Sequence, residues 1–338
     1  DESNRNISNS FRTYFSYRES IYIYSFSVPV FFLISGFLNS ENGGIKKILV
    51  NLVIPMLIIC VINILPMSAL WIRGSEFSID KVFGYLFNCI IGEQGELEPN
   101  KGLGACWFIY SLAIMKTVHI YIKNRELLLI LACVIAVVLS LYKLTFHSSW
   151  INATVCYPFF YIGSILKKTN FVAKPNFSRR FRCVLFVFSL FALVSLTNYN
   201  GTPWCYKNGY GNNFILFILS GLAGCYVLFD LSRMLGAIFS PKILMTFSNG
   251  TIVILGFHFW IIIFANIVIQ HVGAVFDDFG KYVLSSIIFL EIIYDNKIKI
   301  KTRISSSALT AVSILVLMFY PIILFVKRYI PVLLGSRS

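Results

Sequence analysis

Residues 25–38 read SFSVPVFFLISGFL, a run without a charged side chain that closes on Ser35-Gly36 and is followed by a polar turn with Lys46 and Lys47. Similar runs recur from one end of the chain to the other. At 1.5 Å per residue, about 20 apolar residues cross the roughly 30 Å of bilayer hydrocarbon. Each such span must satisfy its own backbone hydrogen bonds, which selects the helix. The pattern predicts ten spans, at 20–38, 48–71, 104–122, 127–144, 150–166, 183–198, 213–232, 249–271, 281–296 and 306–326. The expected fold class is all-α, a polytopic transmembrane helix bundle. Residues 1–338 are expected to form a single membrane domain, with a polar outer segment at 1–19, the bundle at 20–326 and a tail at 327–338.

The polar gaps refine this outline. Segments 73–103 and 199–212 are the longest outer loops, rich in Gly, Asn, Glu and aromatic residues. Within the first, KVFGYLFNCII at 81–91 is too short to span, and its amphipathic pattern suits a helix lying along the interface. Pro55, Pro66, Pro158 and Pro203 are expected at kinks or helix ends, because proline lacks the amide proton that a helix interior requires.

Composition agrees with a lipid environment. Hydrophobic residues make up 57% of the chain and charged residues 13%, against roughly 25% charged in a soluble domain. The net charge of +14 sits in short clusters between the apolar runs, so it reports topology rather than a nucleic-acid partner. Counting Lys116 and Lys143 within the third and fourth spans and Lys281 at the edge of the ninth, seventeen lysines and arginines go with the loops after odd-numbered spans and six with those after even-numbered ones up to the eighth, which places the odd loops in the cytoplasm. That orientation puts residues 1–19 outside, and with a start at Asp1 it leads to the expectation of one further transmembrane helix upstream. The cysteines are scattered without zinc spacing and read as small buried hydrophobes, a Cys89 to Cys205 bridge between outer loops being the alternative for that pair. No metal site is expected.

Four local patterns stand in a recognisable order: FSVPVFFLISGFL at 26–38, NLVIPMLI at 51–58, CWFIYSLAIMK at 106–116 with YPFFYIGSILKK at 157–168, and FSNGTIVILGFHF at 247–259. Together they resemble the acyltransferase family 3 membrane proteins, over essentially the whole chain. The resemblance implies transfer of acetyl or other acyl groups to sugars of surface polysaccharides, peptidoglycan or small molecules. It also implies a histidine in a first helix, with an arginine and an acidic residue near it. Those belong to the helix expected before Asp1, so the 338 residues alone are expected to be inactive. Ser27 departs from the relatives that carry a second histidine at that place.

Among the residues present, His258 is the candidate catalytic group. It lies about 14 Å into the eighth predicted span, where an ionisable side chain faces a bundle interior or a wet cavity. It reads either as a general base that orients an acceptor hydroxyl or as a core histidine bonded to a neighbouring helix. Ser35 and Trp107 are the candidate substrate-binding residues. Ser35 reads as lining an acyl-donor path, or with Gly36 as the small pair that lets two helices approach. Trp107 with Phe108 reads as the wall of an acyl or pantetheine groove, or as part of an interfacial aromatic belt.

The function expected is a bacterial inner-membrane O-acyltransferase. Acetyl-CoA, or another acyl-CoA, is the donor substrate, met by the basic cytoplasmic loops, and no tightly bound cofactor is expected. A glycan or lipid-linked sugar is the acceptor, met by the outer aromatics Tyr199, Trp204, Tyr206 and Tyr210. The competing classes are a lipid-linked glycan transporter or flippase, which calls for charged side chains along a central path and broken helices in two repeats, and a glycan polymerase with paired arginines in a large outer loop. Neither pattern is found in the sequence.

Overall fold

The computed structural model describes residues 22–39, 44–92, 106–142, 148–169, 178–201, 203, 209–235, 245–246, 249–257 and 319–334. The described elements are helical. They are α1 (Tyr22–Phe37), α2 (Gly44–Ile48), α3 (Ile54–Arg73), α4 (Ile79–Ile91), α5 (Cys106–Tyr121), α6 (Arg125–Tyr142), α7 (Ser148–Lys168), α8 (Arg179–Asn200) and α9 (Phe214–Leu235). Residues 251–257 and 319–329 are also helical, and a 3-10 turn covers Pro331–Leu334. The first seven predicted spans each coincide with a helix to within a few residues. Span 281–296 lies outside the described residues. Of the eighth span the first residues are described, and of the tenth the final part, whose helix runs on past 326 to 329.

Four helices among the described residues are long and apolar enough to cross a membrane: Gly44–Arg73, Arg125–Tyr142, Arg179–Asn200 and Phe214–Arg233. The 22 residues of α8 extend about 33 Å, enough for the hydrocarbon layer. Its Val184, Val187, Phe188 and Phe191 are exposed, as are Ile130, Leu131, Val134 and Leu141 of α6. Such continuous apolar faces suit lipid as their solvent.

The chain divides into two compact units, Asp1–Leu49 with Phe83–Arg233, and Val50–Val82 with Met234–Ser338. In the first unit α7 is the central helix. It packs extensively on α5 and α6, and Asn152, Val155, Cys156, Phe159 and Phe160 are fully buried, as expected of a helix surrounded by protein. Glycines let α1 reach it. A Cβ on Gly36 would strike the Phe160 carbonyl, and one on Gly163 would strike the Leu33 carbonyl, so the two backbones touch through reciprocal small residues. The helix α9 closes on the same pair, with Gly221 against Phe159 and Pro29 and Gly224 against Phe26.

Caps in this unit follow local chemistry. Ser178 accepts the Phe181 amide at the start of α8, and Asn124 accepts the Leu127 amide at the start of α6. Asn200 ends α8 by donating to the Tyr210 carbonyl and accepting from the Asn213 amide. Gly211 (φ 80°) lies against it where any side chain would collide with the Asn200 amide.

In the second unit, Asn63 of α3 donates to the Ile59 and Gly256 carbonyls, and Gly256 rests on the Ile59 side chain. Phe319 and Ile323 pack with Ile254 and Phe257. A π turn over Leu49–Val53 precedes α3. Pro55 explains its place, since its ring and missing amide proton displace the preceding turn from α geometry. Pro66 and Pro158 lie inside α3 and α7. The amphipathic segment 81–91 is helical as expected, within α4, with Tyr85 and Cys89 buried and Phe87 and Ile90 exposed. Cys89 is buried, while Cys205 lies outside the described residues, and with it the pairing offered for the two. Cys60, Cys156 and Cys225 are buried as expected, whereas Cys183 faces outward from α8.

Candidate functional site

The turn between α5 and α6 and the last turns of α7 enclose a cavity of about 330 Å³. Its volume is at the lower end of the range for small-molecule clefts. Lys123, Arg125 and Glu126 line one wall, and Tyr161, Ser164 and Lys168 the other. Local sequence sets this arrangement. Asn124 starts α6 and turns the chain, which brings Lys123 and Arg125 to the helix ends, and α7 presents Tyr161, Ser164 and Lys168 at spacings of three and four on one face. Three cations against one carboxylate give the cavity lining a net positive charge. Arg125 offers a planar fork of donors suited to phosphate, and the lysines act as mobile point charges. The neighbouring Lys167 donates to the Asn39 carbonyl just beyond α1, which anchors the end of α7.

A buried polar pair lies immediately behind this wall. His119, in the last turn of α5, is 1% exposed, and its Nδ1 lies 3.0 Å from the Tyr157 hydroxyl of α7. Which of the two donates depends on the imidazole tautomer. Phe160 meets the imidazole edge to face with ring centroids 5.2 Å apart, and Tyr157 and Tyr161 follow each other at 6.3 Å. A continuous series of rings therefore runs from His119 to the cavity wall. Tyr161 packs at the end of this series.

The residues singled out in the sequence fall at different places. Ser35 is half-buried on α1, next to the Gly36 contact with Phe160, and so lies within one helical turn of the level of Ser164. Trp107 is buried at the other end of α5, about 18 Å from His119 along the helix axis. Its neighbour Phe108 packs on Phe32 and Phe31 of α1 with centroids 4.9 and 5.7 Å away. His258 lies outside the described residues, as do Trp204 and Tyr206. Tyr199 is exposed, while Tyr210 is buried with its ring 5.7 Å from Phe217. His119 was not anticipated, because attention to histidines deep within a span favours His258. The available signal was its position between the apolar Val118 and Ile120 within the third predicted span, beyond the CWFIYSLAIMK pattern.

The helices and their lipid-suited faces define a multi-pass helical membrane protein, and the cavity gives it a cation-lined recess. A family model described as an acyltransferase domain, acyltransferase family 3, matches residues 3–326. The chain belongs to that family and is an acyltransferase. A search of curated proteins and a search of solved structures each return no match.

Proposed function

We propose that this acyltransferase takes an acetyl group from cytoplasmic acetyl-CoA and transfers it to a carbohydrate hydroxyl of a cell-surface glycan, in a bacterial inner membrane, with the chain acting as one membrane domain. The observation that carries the donor side is the cation-lined cavity at the end of α7, which lies on the side that the lysine and arginine pattern assigns to the cytoplasm. Arg125, Lys123 and Lys168 would hold phosphates of the donor, and Tyr161, backed by the His119 and Tyr157 pair, would guide its arm. The volume suits part of coenzyme A rather than the whole molecule. Ser35, at the level of this wall, belongs to the acyl-donor path, and Trp107 to the wall of the acyl or pantetheine groove.

In the reaction, the acceptor oxygen attacks the thioester carbonyl, a C–O bond forms and the C–S bond breaks. The hydroxyl proton passes through a base to the departing thiolate, and hydrogen-bond donors hold the oxyanion. His258 is the proposed base within this chain. Full-length protein in lipid nanodiscs, given labelled acetyl-CoA and methyl glycosides, should form acetylated sugar. Arg125→Gln combined with Lys168→Gln should raise the KM for acetyl-CoA about 10–100-fold, the loss expected for charge-assisted hydrogen bonds, and should change kcat little. His258→Ala should lower kcat about 100-fold or more. Normal turnover by the latter would remove His258 from the mechanism, and an unchanged donor KM in the former would remove the cavity.

A further inference from the structure

At the end of the first unit opposite the basic cavity, α7 carries a polar side chain for which the described residues supply no partner. Asn152 is fully buried, and among the described residues neither its Nδ2 nor its Oδ1 has a hydrogen-bond partner. Other buried asparagine side chains behave differently. Asn63 donates to two carbonyls, and Asn200 both donates and accepts. A buried primary amide left open on both sides is costly and calls for a function.

The turn of α7 that precedes Asn152 is braced by hydrogen bonds. One turn earlier, the buried Ser149 donates from Oγ to the Gly92 carbonyl at 2.8 Å, and its own carbonyl lies 2.8 Å from the Oγ of buried Ser111 on α5. Ser111 also lies 2.7 Å from the carbonyl of Trp107. These bonds tie the first turns of α7 to α5 and to the end of α4, and a side chain on Gly92 would collide with the Tyr110 ring. Asn152 is therefore held on a braced helix. The basic cavity begins at Tyr161, and its Ser164 and Lys168 are about 18 and 24 Å away along the α7 axis.

We propose that the Asn152 amide binds the hydroxyls of the acceptor sugar. A primary amide donates through nitrogen and accepts through oxygen, which matches two neighbouring hydroxyl groups of a sugar ring and offers nothing to a phosphate. The amide lies in the first turns of α7, on the side the charge pattern assigns to the exterior, where a surface glycan would arrive. Full burial means that the sugar reaches it through a side-chain rearrangement at this end of the helices. The proposal rests on the reading of a carbohydrate acceptor.

The test uses full-length protein in nanodiscs, with the variants Asn152→Leu and Asn152→Ala, acetyl-CoA as donor, and the methyl glycosides of glucose, galactose and N-acetylglucosamine as acceptors. With no ligand present, Asn152→Leu should melt at the same temperature as the wild type or higher, because it removes an unsatisfied amide. The acceptor KM should rise about 10–100-fold in both variants while the KM for acetyl-CoA stays within about twofold. A lower melting temperature in both variants would show a structural role and overturn the proposal. A rise in donor KM instead would assign the amide to the arm of coenzyme A and overturn it too. Wild-type transfer with an unmoved acceptor KM in the variants sinks this inference alone. Failure of the wild type to acetylate any of the glycosides sinks the carbohydrate reading and this inference with it.

Discussion

Gly36 and Gly163 show how much one missing side chain decides. Each occupies a place where an added methyl group meets backbone atoms of the opposing helix, and backbone cannot move aside as a flexible side chain can. Gly36→Ala should therefore cost about 3 kcal/mol, the upper end of ordinary overpacking, while Ser35→Ala next to it should cost well under that. Thermal unfolding in detergent compares the two, and equal melting temperatures would contradict the close contact of α1 and α7. The Ser35-Gly36 pair was legible as a site of helix approach because small residues in an apolar run have few other uses. Gly163 was not, since nothing in YPFFYIGSILKK says which helix faces it. His119 illustrates the same limit. Its burial was foreseeable from its apolar neighbours, but its bond to Tyr157, 38 residues further on, depends on the packing of α5 against α7.

Among the elements, apolar runs long enough to cross a bilayer were legible because length and hydrophobicity alone select a helix there. The internal shape of those helices was less so. Pro55 marked a disturbance, yet the π turn before it is a particular answer among several available to a chain that loses one hydrogen bond. The helix α4 was legible as amphipathic, and its exposed Phe83, Phe87 and Ile90 stand on the opposite face from Tyr85 and Cys89. Such a face should insert at the lipid headgroup boundary. A polarity-sensitive fluorophore attached to a cysteine at position 87 should emit as it does in an apolar medium when the protein is in nanodiscs, and emission typical of water would contradict that placement. Beyond the end of α8, Tyr210 was expected to meet a sugar. It is instead buried beside Phe217, because Asn200 binds its carbonyl and folds the loop back on the helix end.

For the molecule as a whole, charge carries the functional argument. The +14 of the chain is divided so that the odd loops hold most of it, and that division gives the cavity between α6 and α7 a side as well as a sign. The sequence located the cations but did not show that Lys123, Arg125 and Lys168 converge, because their meeting requires α6 and α7 to pack in register. The family assignment supplies acyl transfer as the chemistry, and the cavity at the end of α7 supplies a cluster of three cations. The central claim is that the cation-lined cavity holds an acyl-CoA donor. It is tested most directly by equilibrium binding of acetyl-CoA to the full-length protein in nanodiscs, in the wild type and in Arg125→Gln combined with Lys168→Gln, at low and at high salt. The account predicts a Kd at least about 10-fold weaker in the variant and a wild-type affinity that falls with salt more steeply than the variant's. Equal affinity and equal salt dependence in the two proteins would contradict it.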